Sequence, residues 1–264
     1  MKKIIIVLAC MSMTFIVLAQ GSYTTSSDNY FNLIQYVSDV NFNIGNANYY
    51  NERGLLKERE NDLEGALEYY AKAVNIASQT PAYLFNYGIT LQKLERHKEA
   101  VEVLFELTEL DNIDFEAFVA LGTSYGMLGE YRKAVEAYNA AERLRPSYGR
   151  MYYQRGIFLN LDGDYVQAQK DFDKAIKREP NFAKAWYNRG VNFKDMERFR
   201  RAIRDLDKAI ALDPDYGLAY MVRGVSYINL GKTKEGAADL KRAAEMGIEE
   251  AQELYEKYGR DEVN

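Results

Sequence analysis

The sequence predicts an all-α protein built as a solenoid of tandem helix–turn–helix units, and three observations support this prediction. Glycine recurs every 34 residues, and a small residue follows each of these glycines after twelve residues. Proline is rare, with 4 in 264 residues, so long helices meet few interruptions. A fixed period of this length is typical of stacked helical repeats. The glycines are Gly54, Gly88, Gly122, Gly156, Gly190 and Gly224, and the small residues are Ala66, Ala100, Ala134, Ala168, Ala202 and Gly236.

Six uninterrupted units follow from this period. Within each unit, apolar residues recur at helical spacing in two runs, separated by a short turn that often contains glycine, as at Gly129. We therefore expect two antiparallel helices of about 14 residues in each unit. One helix pair cannot bury its apolar face alone, so neighbouring pairs are predicted to stack into a right-handed solenoid with a concave and a convex face. The units are 47–80, 81–114, 115–148, 149–182, 183–216 and 217–250.

The fifth unit carries the clearest version of a known repeat pattern. Its pattern positions hold Trp186, Gly190, Phe193, Ala202, Leu206, Ala209 and Pro214. With these residues the chain resembles the tetratricopeptide repeat (TPR) family, and the resemblance covers residues 47–250. Six copies in one phase make the resemblance specific. It implies that the first helix of each unit lines the concave face.

The N-terminal segment 1–19 is typical of a secretory signal peptide. A short basic start precedes the apolar run Ile4–Ala19, and the small residues Val17 and Ala19 stand before Gln20. Cleavage after Ala19 predicts an exported protein of the periplasm or cell envelope, with no stable membrane span once the signal is removed. Two alternatives remain open: an uncleaved signal anchor, and a lipid anchor on Cys10, where the preceding residues resemble a lipobox.

Two further segments flank the repeats. Residues 20–46 are predicted to form a Ser/Thr-rich linker followed by a helix that packs on the first unit. A capping helix is predicted over residues 248–259. Its apolar face holds Ile248, Ala251, Leu254, Tyr255 and Tyr258.

The composition disfavours an enzyme, a metal protein and a nucleic-acid-binding protein. One histidine and one cysteine are too few for a His/Cys zinc site or a Cys–His nucleophile, and the net charge is −5. Gly231-Lys232-Thr233 lacks the first glycine of a phosphate-binding loop, and Asp162-Gly163-Asp164 lacks the remaining ligands of a calcium loop. We therefore expect no catalytic residues, no cofactor and no bound metal.

Charged residues recur at one repeat position where the family usually has leucine. Arg53, Arg155, Arg189 and Arg223 share this position, and an aspartate follows the last three after sixteen residues. The second and third units lack both the arginine and the aspartate, whereas Arg53 faces Tyr69. This matching predicts structural ion pairs within units, and a basic ladder for anionic ligands is the alternative. The predicted pairs are Arg155–Asp171, Arg189–Asp205 and Arg223–Asp239.

The charge is also uneven along the chain. Arg198, Arg200, Arg201 and Arg204 form a basic cluster in the fifth unit, which has a charge of +2, whereas the first two units sum to −6. The cluster is interpreted either as a solvated face or as a contact surface for an acidic partner.

The candidate binding surface follows from the resemblance, because the second, fifth, sixth and ninth positions of first helices face the groove in the family. Here these positions are apolar and aromatic with spaced amides, which suits an extended peptide. The alternative is that part of this stripe packs against neighbouring helices. The predicted groove residues are Phe85, Asn86, Ile89, Tyr153, Gln154, Ile157, Tyr187, Asn188, Val191 and Met221.

These observations predict a non-enzymatic scaffold or adaptor that binds a protein or peptide segment in its concave groove, in a bacterial cell envelope. A glycan-binding module that stacks sugars on the aromatic groove is the alternative. Chaperone-binding TPR members hold a C-terminal carboxylate with lysine at fifth and asparagine at ninth positions. No unit has either here, and Lys184 with Asn188 is the nearest fragment. We therefore expect no carboxylate-clamp binding.

Overall fold

A computed structural model describes residues 5–7, 16–18 and 45–259. The predicted all-α solenoid is confirmed, with two helices in each of the six units and a further helix after the last. The helices of the described part are α1 (45–59), α2 (Leu63–Ile76), α3 (Pro81–Lys93), α4 (His97–Leu110), α5 (Phe115–Met127), α6 (Tyr131–Leu144), α7 (Gly149–Leu161), α8 (Tyr165–Arg178), α9 (Ala183–Asp195), α10 (Phe199–Leu212), α11 (Gly217–Asn229), α12 (Thr233–Glu245) and α13 (Glu249–Tyr258).

The packing of the helices defines the two sides of the solenoid. Each helix from α2 to α12 contacts the next one along the chain, and successive odd-numbered helices from α3 to α11 also contact one another. The odd-numbered helices up to α11 are the first helices of the units. Because helices lie closest together on the inside of a curved stack, the odd-numbered helices line the concave side and the even-numbered helices the convex side.

The two helices of a unit cross closely at glycine. A Cβ atom added to Gly156 in α7 would lie 2.8 Å from Cε1 of Phe172 in α8. Phe172 is 1% exposed, so its ring has no room to move away. A side chain at position 156 would therefore push α7 and α8 apart.

Glycine also serves the turns between paired helices. Gly163 and Gly231, which belong to the two weak ligand-loop motifs, have φ of +85° and +75°. This left-handed conformation is common just after a helix and costs glycine little. The turn geometry thus accounts for both glycines without a ligand.

At the N-terminal end, β1 (Ile5–Val7) and β2 (Ile16–Leu18) pair as antiparallel strands, with Ile6 opposite Val17. Both strands lie within the predicted signal segment 1–19. The predicted cleavage site, Cys10 and residues 20–44 of the linker lie outside the described residues. Residues 45 and 46, the end of the predicted N-terminal segment 20–46, already belong to α1. Among the residues that the structure describes, no helix combines the length and apolarity needed to cross a membrane.

Helix α13 covers the C-terminal end of the stack. Ala251 is buried, and Ile248, Leu254 and Tyr255 pack partly buried against the core formed by α9 to α12. Tyr258 is the last residue of the helix and is 38% exposed, so its side chain does not belong to the buried face. Its ring lies 4.9 Å from Nζ of Lys257.

Candidate functional site

The predicted groove residues lie on the first helices α3, α7, α9 and α11, on the concave side. All of them except Met221 are half-buried, as expected for side chains that both pack and face a groove. Met221 is 9% exposed and lies in the same core cluster as Ala251 of α13. Helix α13 follows α12 as a seventh first helix would, and Ile248 just before it lies against Gly217 at the start of α11. Met221 is thus more buried than the other predicted groove residues, and its place in the groove stays a prediction.

Two tyrosines hold equivalent groove positions one unit apart. The ring of Tyr153 packs against Phe182, and the ring of Tyr187 packs against Tyr216, with a centroid distance of 4.8 Å in both pairs. Phe182 and Tyr216 each stand immediately before the first helix of the following unit. Burial raises the pKa of Tyr153 and Tyr187 above its ordinary value, so both phenols are neutral near pH 7. A partner therefore meets fixed, uncharged aromatic surfaces.

The predicted groove amides differ in how many of their hydrogen-bonding groups remain free for a partner. Asn86 Nδ2 donates to Oδ1 of Asn51 at 2.9 Å. Asn188 Nδ2 donates to the Tyr153 hydroxyl at 3.3 Å and to the Lys184 carbonyl at 2.9 Å, so both of its amide protons are engaged. The side-chain amide of Gln154 makes no hydrogen bond within the described part of the chain. Gln154 thus offers both a donor and an acceptor to a partner.

The three predicted Arg–Asp pairs are bidentate in the structure. Nε and Nη2 of each arginine donate to the two carboxylate oxygens of the aspartate sixteen residues later, at 2.6 to 2.9 Å. The aspartates Asp171, Asp205 and Asp239 are 4%, 6% and 8% exposed. Charges this deeply buried need a partner, and the fork-to-fork geometry supplies it. The pairs hold the two helices of a unit together, which favours the structural interpretation over a ligand-binding ladder.

The third guanidinium nitrogen reaches the preceding unit. Arg189 Nη1 donates to Asp173 and Arg223 Nη1 donates to Asp207, both at 2.6 Å. Each arginine therefore joins the second helices of two neighbouring units. These acceptors were missed from the sequence, although the Asp-x-Asp patterns of α8 and α10 contain both of them.

The position sixteen residues before Arg155 holds Asn139 where the next two units have an aspartate. The negative charge from the preceding unit comes from Glu142 instead. Arg155 Nη1 donates to Oδ1 of Asn139 at 2.5 Å and to Oε2 of Glu142 at 2.7 Å. Burial acts to raise the pKa of Glu142, but hydrogen bonds from Lys174 and Arg155 outweigh it and lower the pKa to about 2. Glu142 is therefore ionised at neutral pH and gives Arg155 a second carboxylate partner beside Asp171.

Arg53, the exception in the arginine series, lies over the ring of Tyr69 with its Cζ 5.6 Å from the centroid. In the described ranges, no three His, Cys, Asp or Glu side chains are placed to hold a metal ion.

Comparison with known proteins identifies the repeat. Family models described as tetratricopeptide repeat match residues 47–80, 119–168, 162–193 and 183–216. A curated relative, the Small glutamine-rich tetratricopeptide repeat-containing protein 2 of Mycosarcoma maydis, is 28% identical over 86 residues, which are 33% of this chain and 24% of that protein. The chain thus spans about a quarter of the length of that relative.

Solved structures show the same fold. A tetratricopeptide repeat protein from Parabacteroides merdae has a TM-score of 0.64 at 20% identity, covering 80% of this chain and 98% of that one. YrrB has a TM-score of 0.58 at 28% identity, covering 64% of this chain and 88% of that one. YrrB is described as a TPR protein with an unusual peptide-binding site.

The ion pairs predict a specific mutational pattern. Arg189→Leu leaves Asp205 buried without its partner and is expected to cost about 3–5 kcal/mol of unfolding free energy. The double variant with Asp205→Leu removes both charges, so it is expected to cost less than the sum of the single changes, with a coupling of about 0.5–3 kcal/mol. Chemical denaturation followed by circular dichroism measures all four corners of the cycle.

The exposed pair Arg96–Glu99 provides the matched control. Its two side chains are 39% and 48% exposed, so we expect a coupling of about 0.2–1 kcal/mol at most. Additive losses for the Arg189 and Asp205 changes would contradict the structural role.

Proposed function

Since the chain belongs to the tetratricopeptide repeat family, we propose that it is a non-enzymatic scaffold that binds a peptide or protein segment in its concave groove. The observation that carries the proposal is the row formed by Tyr153 and Tyr187 with Gln154 beside them. The two rings are held by their neighbours, and the amide of Gln154 has no intramolecular hydrogen bond in the described residues. Fixed aromatic surfaces bind at low entropic cost, and an amide pairs with a peptide backbone.

The contacts between units support an elongated ligand. Tyr153 and Asn188 bridge α7 and α9, and Tyr187 meets Tyr216 at the start of α11. Equivalent groups therefore recur from one unit to the next along the groove. A repeating surface of this kind matches an extended or helical segment better than a compact small molecule. The similar protein YrrB has a peptide-binding site, which is consistent with this assignment.

The glycan alternative draws on the same rings, because sugars stack on exposed aromatic faces. In this groove each tyrosine is half-buried, and its ring packs against Phe182 or Tyr216. We favour a peptide on that ground, and affinity capture that identifies both proteins and glycans separates the two.

Truncation of the groove tyrosines tests the binding role. We expect Tyr153→Ala and Tyr187→Ala each to weaken binding of the mapped partner peptide by about 2 kcal/mol or more, because aromatic anchors dominate such interfaces. Since both rings are half-buried, we expect a smaller loss of stability than the about 3–5 kcal/mol typical of a buried aromatic residue. Fluorescence titration and thermal melting give the two quantities.

Tyr258→Ala is the control, because that ring is exposed at the end of α13 and should leave the peptide affinity unchanged. If the two groove variants melt far earlier while their folded fraction binds the peptide normally, the tyrosines are core residues and the groove assignment fails. Binding of a glycan with no bound peptide would favour the alternative.

We place the scaffold in a bacterial cell envelope, on the basis of the signal-like segment 1–19. N-terminal mass spectrometry of the protein recovered from cell fractions tests this placement. A chain that begins at Gln20 is expected, because Val17 and Ala19 form a small-residue cleavage site. A chain that begins at Met1, or a lipid on Cys10, would contradict soluble export.

A further inference from the structure

A cleft of about 540 Å³ lies outside the concave groove, between α8, α9 and α10. The cleft is lined by Trp186 and Phe193 of α9, by the basic residues Arg201, Arg204 and Lys208 of α10, and by the carboxylates of Asp173 and Asp205. Phe193 is buried, whereas the three basic residues are exposed. Because α8 and α10 are second helices, the cleft opens on the convex side.

The positive charge of the cleft is not fully neutralised by the carboxylates that line it. Arg189 also borders the cleft, but its guanidinium is used by Asp205 and Asp173. Arg201 lies over Phe193 with its Cζ 5.7 Å from the ring centroid. Within the part of the chain that the structure describes, Arg201, Arg204 and Lys208 make no ion pair. An aromatic cleft edged by unpaired cations attracts an acidic surface that carries apolar side chains.

The chain itself presents a surface of that chemistry. The repeat positions of Arg201, Arg204 and Lys208 are held in the second unit by glutamates, three periods earlier in the sequence. The three glutamates are Glu99, Glu102 and Glu106 of α4. Equivalent repeat positions lie on equivalent helix faces, so this acidic face is also on the convex side.

The acidic face of α4 is open to a partner. Glu99 pairs with Arg96, whereas Glu102 and Glu106 are exposed and make no ion pair among the described residues. Phe105 stands between them and is 50% exposed. An exposed aromatic ring between carboxylates complements a cleft that has aromatic residues inside and cations at its edge.

We propose that the cleft is a self-association site, in which the acidic face of α4 of one copy docks between α8, α9 and α10 of a second copy. The concave groove takes no part in this contact, so the two surfaces can be occupied together. Association through complementary charges is strengthened at low ionic strength, because the Debye length is about 10 Å at 0.1 M salt and about 3 Å at 1 M.

Sedimentation velocity of the full chain tests the proposal. We expect concentration-dependent association at about 0.05 M NaCl that is lost at about 1 M. Glu102→Lys with Glu106→Lys (the α4 variant) and Arg204→Glu with Lys208→Glu (the α10 variant) each place like charges opposite one another. Each variant alone is expected to associate at least about tenfold more weakly.

An equimolar mixture of the α4 and α10 variants is expected to regain association, since every contact between the two variants again joins opposite charges. Lys234→Glu with Lys241→Glu on α12 is the matched control, because it makes the same change in net charge on exposed residues outside the cleft. Circular dichroism confirms that each variant is folded. A wild-type chain that stays monomeric at low salt, an α10 variant that associates like the control, or a mixture that stays monomeric would each overturn the proposal.

Discussion

The close crossing of the two helices in each unit is the constraint on which the solenoid depends. In the first five units, a glycine of the first helix meets the side chain sixteen residues later, as Gly190 meets Leu206 and Gly122 meets Tyr138. In the sixth unit Gly224 approaches the backbone oxygen of Gly236 as well as the side chain of Leu240, sixteen residues later. With so little space between the helices, their register and the faces they turn inward are fixed. Every unit then presents the same surface to its neighbour, and the units stack.

The same register places the charged groups. Arg155 stands one residue before Gly156, and Asp171 stands one residue before Phe172, so the ion pair lies beside the glycine crossing. A buried ion pair contributes little net stability compared with well-packed apolar residues, but an unpaired charge there is costly. The ion pairs therefore specify which helices pack together more than they add to the stability of the fold. The second and third units use Tyr87 and Leu121 at the arginine position, so their helices are joined by apolar contacts.

Most of the fold was predictable because a 34-residue period reports packing that repeats in every unit. The Arg–Asp pairs were also visible, since their residues appear and disappear together along the chain. Contacts that depend on where the array ends were not visible in the repeat. Met221 matches the groove position of its unit, yet it is 9% exposed and shares a core cluster with Ala251 of α13, a helix that has no repeat pattern of its own. Bonds between units, such as those of Asp173 and Asn188, need the stacking distance as well as the sequence.

The first helices use their other faces for the close helix crossing and for stacking on neighbouring units. Only the groove face therefore remains free to bind a partner. We propose that a partner lies along these remaining positions. Photo-crosslinking in cells tests it most directly, with the reactive residue placed at Gln154 in the groove or at Val166 on α8, which is 58% exposed on the convex side. We expect the partner to be captured from position 154 and not from position 166. Capture from position 166 with none from position 154 would contradict it.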